Sequence, residues 1–331
     1  MADLPSRRHY RRGPLRGVWP SPARPLTHRA AGKADGEYGQ SDQPNWREID
    51  WPAQTNRVQI NGRSVNYVEL GTGDQTVLFI HGLGGSWQNW LENLPRVAES
   101  HRAIALDLPG FGRSEMPVEP ISITGFAAAV DAFCDALGLG PVVLVGNSMG
   151  GFTAAEVAIQ HPERVEQLVL VDAAGISSAS VARSRAGERL ARQLMMRGQG
   201  DPQSASKMLT RPGFIALGMG LVARYPTRLS KELLSEQLLT FGDEGFGDSF
   251  EAILSYDFRH RLEEIGCPVL VIQGEDDVLV PLGDAIEFCE RIPGAKLLTL
   301  PDTGHVPMFE RPVQFNDALL SFVAAPASAT G

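Results

Sequence analysis

The feature that most constrains this chain is a five-residue turn, Gly146-Asn147-Ser148-Met149-Gly150, followed by a further glycine, Gly151. It closes the apolar run Pro141-Val142-Val143-Leu144-Val145 and opens a stretch from 152 to 160 that reads as a helix. A small-x-Ser-x-small pattern at such a junction holds the serine on a turn so sharp that the residues two places away on each side must lack bulk. Gly146 and Gly150 meet that condition, and Ser148 falls at the positive end of the helix. The bland alternative is a Gly-rich turn with an incidental serine. Whether a base and an acid follow at suitable elements decides between them.

Both follow. The β-branched run Cys267 to Gly274 reads as a buried strand and is succeeded by Glu275-Asp276-Asp277. The next apolar run, Ala295 to Leu300, leads into Pro301-Asp302-Thr303-Gly304-His305. Each polar candidate therefore sits in a loop just past the C-terminal end of a strand. In an open parallel sheet those loops share one edge, where ligands bind. The serine needs a base, a histidine can take its proton near neutral pH, and a carboxylate must orient the imidazole.

The chain resembles the α/β-hydrolase fold family from about Asn56 to Ala324. The resemblance is carried by the serine turn and by the chain order Ser, Asp, His. It also rests on His81-Gly82-Leu83-Gly84-Gly85 after the strand Thr76 to Ile80, and on Asp107-Leu108-Pro109-Gly110-Phe111-Gly112 after Ala103 to Leu106. It implies an α/β fold: a mostly parallel eight-stranded sheet, helices on both faces and a helical cap insertion. It further implies a catalytic triad of Ser148, His305 and Asp277, the acid being the third residue after the strand-ending glycine. Asp276 is the register alternative, and Asp172 is another, because some relatives carry the acid one strand earlier. The oxyanion donors would be the backbone amides of Met149, directly after the nucleophile, and Leu83. His81 and Asp107 read as loop-fixing residues. Trp87, Phe111 and Met219 are candidates for the substrate pocket, and of the Trp87 and Trp90 pair, at i and i+3, one ring is expected in the core.

The expected organisation is a basic Pro/Arg-rich disordered tail over 1–43, a core over 44–173 and 265–325, a cap over 174–264, and a flexible end over 326–331. Around Asn61-Gly62 two alternating segments signal a β-hairpin. The cap is Met-rich and helical in pattern (Met195, Met196, Met208, Met219), a composition that suits an apolar acyl pocket. Residues 1–33 hold eight Lys or Arg against Asp3, about +7, so the remainder carries about −16 of the total −9. That tail reads as a solvated extension in preference to a nucleic-acid or membrane-binding arm. The three cysteines are odd in number and widely spaced, which suits thiols of a reducing, cytoplasmic compartment and no metal site. Neither a membrane-spanning run nor a phosphate-cradling loop is present, so no cofactor, nucleic acid or stable membrane insertion is expected.

The nucleophile's identity narrows the reaction. Relatives that open epoxides or displace halide use aspartate at this turn, whereas serine points to acyl transfer. The reading is a hydrolase of carboxylic esters with apolar, small-to-medium acyl groups. The runner-up is a meta-cleavage-product C–C bond hydrolase, a class that also carries Gly-Asn-Ser-Met-Gly-Gly. That class typically has tryptophan after the histidine, where this chain has Val306, and uses a cap arginine. Arg183, Arg185, Arg189 and Arg192 are available for that role. A cofactor-free perhydrolase and a non-catalytic receptor on the same fold are minor alternatives.

Overall fold

Strand-forming runs dominate the first half of the chain and resume after residue 268, and they assemble into one eight-stranded sheet. The computed structural model describes residues 36–178, 219–238 and 243–325. The strands are β1 (Thr55–Ile60), β2 (Arg63–Leu70), β3 (Thr76–Ile80), β4 (Arg102–Leu106), β5 (Val142–Asn147), β6 (Val165–Val171), β7 (Val269–Gly274) and β8 (Lys296–Leu300). Their spatial order is β1-β2-β4-β3-β5-β6-β7-β8. Pairings from β4 to β8 are parallel, and β1 and β2 run antiparallel at one edge. Asn61 and Gly62 both have positive φ (50° and 74°), the conformation a two-residue hairpin turn demands.

β3, β5 and β7 are buried along their whole length, as strands covered on both faces must be. Alternate residues feed two apolar layers. Leu78, Ile80, Leu144 and Leu170 face one layer, which holds helices α3 (Ile123–Ala136), α4 (Met149–Gln160) and α7 (Leu282–Arg291). Val77, Phe79, Val145 and Val171 face the other, with α2 (Leu94–Ala98) and α9 (Pro312–Val323). A short helix α1 (Trp51–Gln54) precedes β1, and α8 (Pro307–Glu310) immediately precedes α9. Between β6 and β7 the described residues form α5 (Lys231–Gln237), α6 (Phe246–Ser255) and short turns, with no strand among them.

One boundary differs from expectation. The disordered tail was placed through residue 43, yet Gly36 to Gln43 lies against the core, with Tyr38 buried in the second apolar layer. Apolar content and periodicity are too sparse there to signal order, because the segment is held by side-chain hydrogen bonds to distant parts of the chain. Residues 1–35, part of the expected cap (179–218, with Met195, Met196, Met208 and the four arginines, and 239–242) and the expected flexible end lie outside the described residues. No helix among the described residues is long and apolar enough to cross a membrane.

Candidate active site

β5 ends at Asn147 and α4 begins at Met149, so Ser148 alone makes the turn. It has φ 55° and ψ −117°, a conformation that costs a non-glycine residue roughly 1–3 kcal/mol. Its surroundings enforce it. The Ser148 amide donates to Val171 O (2.9 Å), and its carbonyl accepts from the amides of Phe152 and Ala174 (3.0 Å each). A Cβ on Gly146 would lie 2.2 Å from Gly150 O, and one on Gly150 2.2 Å from Ile80 O. The two glycines are thus required by contact with backbone that cannot move.

β7 and β8 deliver the other two groups. Asp277 and His305 are buried, and His305 Nδ1 lies 2.7 Å from Asp277 Oδ2. The second oxygen, Oδ1, accepts the amides of Leu279 (2.7 Å) and Val280 (3.1 Å), which fixes the carboxylate as an acceptor. With Nδ1 engaged, Nε2 is the ring atom left for proton transfer. Asn147 Nδ2 donates to His305 O (3.1 Å) and Val171 O (3.2 Å), tying the histidine loop to the serine turn.

The two alternative acids are placed differently. Asp276 accepts from Arg224 Nε at 2.9 Å, turned to the segment that precedes α5. Asp172 is wholly buried behind the pair, with φ 43°, and its Oδ1 accepts the Gly274 amide (3.0 Å). One ligating atom each of Asp172, Asp277 and His305 lies within 4.8 Å of the others. Burial, reinforced by the Asp277 carboxylate, pushes the Asp172 carboxyl well above the usual range. Of the three carboxylates, Asp277 is the one hydrogen-bonded to His305.

The loop after β3 borders Ser148: a Cβ on Gly82 would lie 3.2 Å from Ser148 Cβ. The Gly85 amide donates to Gly82 O (3.0 Å), closing a tight turn over Leu83 and Gly84, the latter at φ 71°. Met149 is the first residue of α4, where an amide has no intrahelical partner. His81 fastens this loop. Its Nε2 accepts the Leu108 amide (3.0 Å), so Nδ1 carries the proton and donates to Gly82 O (2.8 Å). Burial lowers its pKa to about 4, so the ring is neutral. Asp107 clasps the neighbouring loops, accepting the Trp87 and Arg113 amides and Asn66 Nδ2.

The three pocket candidates do not share one environment. Trp87 packs on Trp51 (centroids 4.9 Å apart) in the second apolar layer, and Phe111 packs edge-on to His81 (5.3 Å) in the first. Met219 is half-buried against the second layer. Trp90 is wholly buried beside Phe79. Phe246, not singled out from the sequence, stands over the loop after β3, since a Cβ on Gly84 would meet its ring at 3.0 Å. Nearby, Gln237 of α5 donates to Gln88 O (2.8 Å) and accepts from Asn89 Nδ2 (2.6 Å). Asn147 and Glu310 were also missed. Glu310 had one usable signal, a lone carboxylate in the apolar stretch Pro307-Met308-Phe309.

The thiols of Cys134, Cys267 and Cys289 are free and pushed up by burial to about 12, 11 and 11, which makes them unreactive.

Known proteins with this arrangement are numerous. A 2-hydroxy-6-oxononadienedioate/2-hydroxy-6-oxononatrienedioate hydrolase of Burkholderia vietnamiensis is 34% identical over 78% of this chain and 90% of its own. A 3-oxoadipate enol-lactonase 2 of Acinetobacter baylyi is 31% identical over 77% of this chain and 91% of its own. Among solved structures, a serine hydrolase involved in carbazole degradation superposes with a TM-score of 0.64 at 28% identity, covering 82% of this chain and 98% of that one. The family model described as the alpha/beta hydrolase fold matches residues 75–312, from β3 to the start of α9. With its sheet order, its serine turn and its strand-end loops all falling inside or beside that match, this chain belongs to the α/β-hydrolase fold family.

Proposed function

We propose that the chain is a serine hydrolase that cleaves carboxylic esters of apolar, small-to-medium acyl groups through an acyl-enzyme. The observation that carries this reading is the 2.7 Å His305–Asp277 contact behind a serine held at positive φ. Ser148 Oγ attacks the ester carbonyl and passes its proton to His305 Nε2. Asp277 stabilises the imidazolium, and the amides of Leu83 and Met149 receive the developing oxyanion. Collapse breaks the C–O bond, and the alcohol leaves with the proton from His305. Water then attacks the acyl-serine, giving a proton to His305, and release of the acid returns that proton to Ser148. No metal or cofactor is needed to balance these steps, and a small-molecule substrate is the only partner they require. Phe246, close over the loop that carries Leu83, would meet the acyl chain, with Trp87, Phe111 and Met219 as further candidates. The free, unreactive thiols accord with a cytoplasmic setting.

The C–C bond reading is favoured by one observation, the 34% identity to the Burkholderia hydrolase over most of both chains. Against it stands Val306, where that class typically has tryptophan. Profiling p-nitrophenyl esters by chain length beside one vinylogous diketone separates the two. The ester reading expects turnover of short and medium esters with little cleavage of the diketone. Rapid diketone cleavage with negligible ester turnover would replace it with the second reading.

A further inference from the structure

The segment that precedes the family match is attached to the site at one buried point. Tyr38 Oη donates to Glu310 Oε2 (2.6 Å) and accepts the Tyr225 amide (2.8 Å), and the two tyrosine rings meet edge to face at 5.2 Å. The Gly39 amide donates to Glu310 O (2.7 Å). Glu310 in turn gathers the backbone on both sides of the catalytic histidine. Its carboxylate accepts the amides of Gly304 (2.9 and 3.0 Å) and Val306 (3.3 Å), and also Arg224 (2.7 Å) from the segment that precedes α5. Two residues earlier, Val222 O accepts the His305 amide itself (2.8 Å). There is no slack at this junction: a Cβ on Gly304 would lie 2.8 Å from Val222 O.

We propose that Tyr38 is a positioning residue that acts through Glu310 to hold the His305 loop and the segment that precedes α5 in register. The segment from Gly36 to Glu48 is the strap that delivers it. Outer bonds seat the strap: Ser41 Oγ and Trp46 Nε1 donate to Glu92 (2.8 Å each), Arg47 donates to Ser230 Oγ (2.7 Å), and Gln314 donates to Glu37 (2.6 Å). The tyrosine is suited to its place because its hydroxyl adds the one side-chain donor to a buried carboxylate otherwise held by backbone amides, and accepts the Tyr225 amide as well. Burial raises the Tyr38 hydroxyl well above the usual phenol range, so it remains a donor. Phenylalanine there would remove one of the three donors to Glu310 Oε2 and the hydroxyl that accepts the Tyr225 amide, while preserving the ring contacts.

This inference rests on His305 being the base, so its test has two arms. The first is Tyr38→Phe in the full chain, assayed as kcat per active site titrated with a fluorophosphonate. Misplacing a catalytic group by a fraction of an ångström predicts a fall of about tenfold in kcat with KM little changed. Simple destabilisation would lower the number of titratable sites and leave kcat per site alone. Gln314→Ala, which cuts an exposed strap bond and leaves Glu310 untouched, should keep wild-type kcat. The second arm is hydrogen exchange of the peptide covering residues 302–310, which expects faster exchange in Tyr38→Phe than in wild type. It reads the strap whether or not the protein reacts with the probe. Wild-type protein that fails to label refutes the serine-hydrolase reading. Unchanged exchange, or kcat per site within twofold of wild type, overturns the strap.

Discussion

Lowering the pH should unfold this protein partly through one residue that does no chemistry. His81 is wholly buried with Nε2 accepting the Leu108 amide, so protonation at that nitrogen must break the bond and put a charge in an apolar site. Its folded pKa is about 4 against an ordinary 6.5. Between those values the unfolded chain binds a proton that the folded chain refuses, so stability falls as pH falls from 6.5 to 4. The separation corresponds to about 3 kcal/mol. Buried carboxyls with raised pKa (Asp107, Asp172 and Glu310) push the other way over part of this range, so the raw pH curve does not isolate His81. The comparison that does is His81→Gln, whose amide oxygen can still accept a hydrogen bond but does not titrate. Urea unfolding of both proteins at pH 7 and pH 4.5 gives the four free energies required. The variant is expected to be less stable at pH 7, and the gap should shrink by about 2 kcal/mol or more at pH 4.5. A gap that stays constant within 0.5 kcal/mol, roughly the extrapolation error, refutes the claim that His81 is held neutral by burial.

Three further outcomes follow from the same geometry. Ser148→Ala or His305→Ala should each lower kcat by roughly 10⁴- to 10⁶-fold on a p-nitrophenyl ester, and the double variant should lose little more, because the two act as a unit. Asp277→Asn should cost about 10⁴-fold, whereas Asp276→Asn, which alters the bond to Arg224 and leaves the His305 contact in place, should stay within about tenfold; steady-state kinetics with the reverse ranking would move the acid. Gly62→Ala should lower unfolding free energy by about 1 kcal/mol with kcat unchanged, since the site has open space and only the positive φ resists a side chain.

What was legible in the sequence was whatever depends on local pattern. The buried strands announce themselves as β-branched runs, the hairpin as Asn61-Gly62, and the serine turn as glycines at fixed offsets. Because parallel strands bring their C-terminal loops to one edge, chain order alone gathered Ser148, Asp277 and His305 near one another. The choice among Asp277, Asp276 and Asp172 was not decidable from spacing, as all three lie just beyond strand ends. It turns on a 2.7 Å contact, an arginine partner and full burial respectively. Tyr38, Glu310 and Asn147 were invisible for a related reason. Tyr38 meets Glu310 272 residues away and Asn147 meets Val171 and His305 24 and 158 residues away, and a hydrogen bond across such distances leaves no periodic trace. Trp87 is a pocket candidate in the sequence, and its ring packs on Trp51, a neighbour that only the tertiary fold supplies.

The central claim is that Ser148 forms a covalent acyl-enzyme with His305 as its base. Peptide mass spectrometry after treatment with a fluorophosphonate tests it most directly. The predicted result is one stoichiometric adduct on Ser148, absent in Ser148→Ala and formed far more slowly in His305→Ala. Folded wild-type protein that takes up no label, or takes it up elsewhere with Ser148 unmodified, would contradict it.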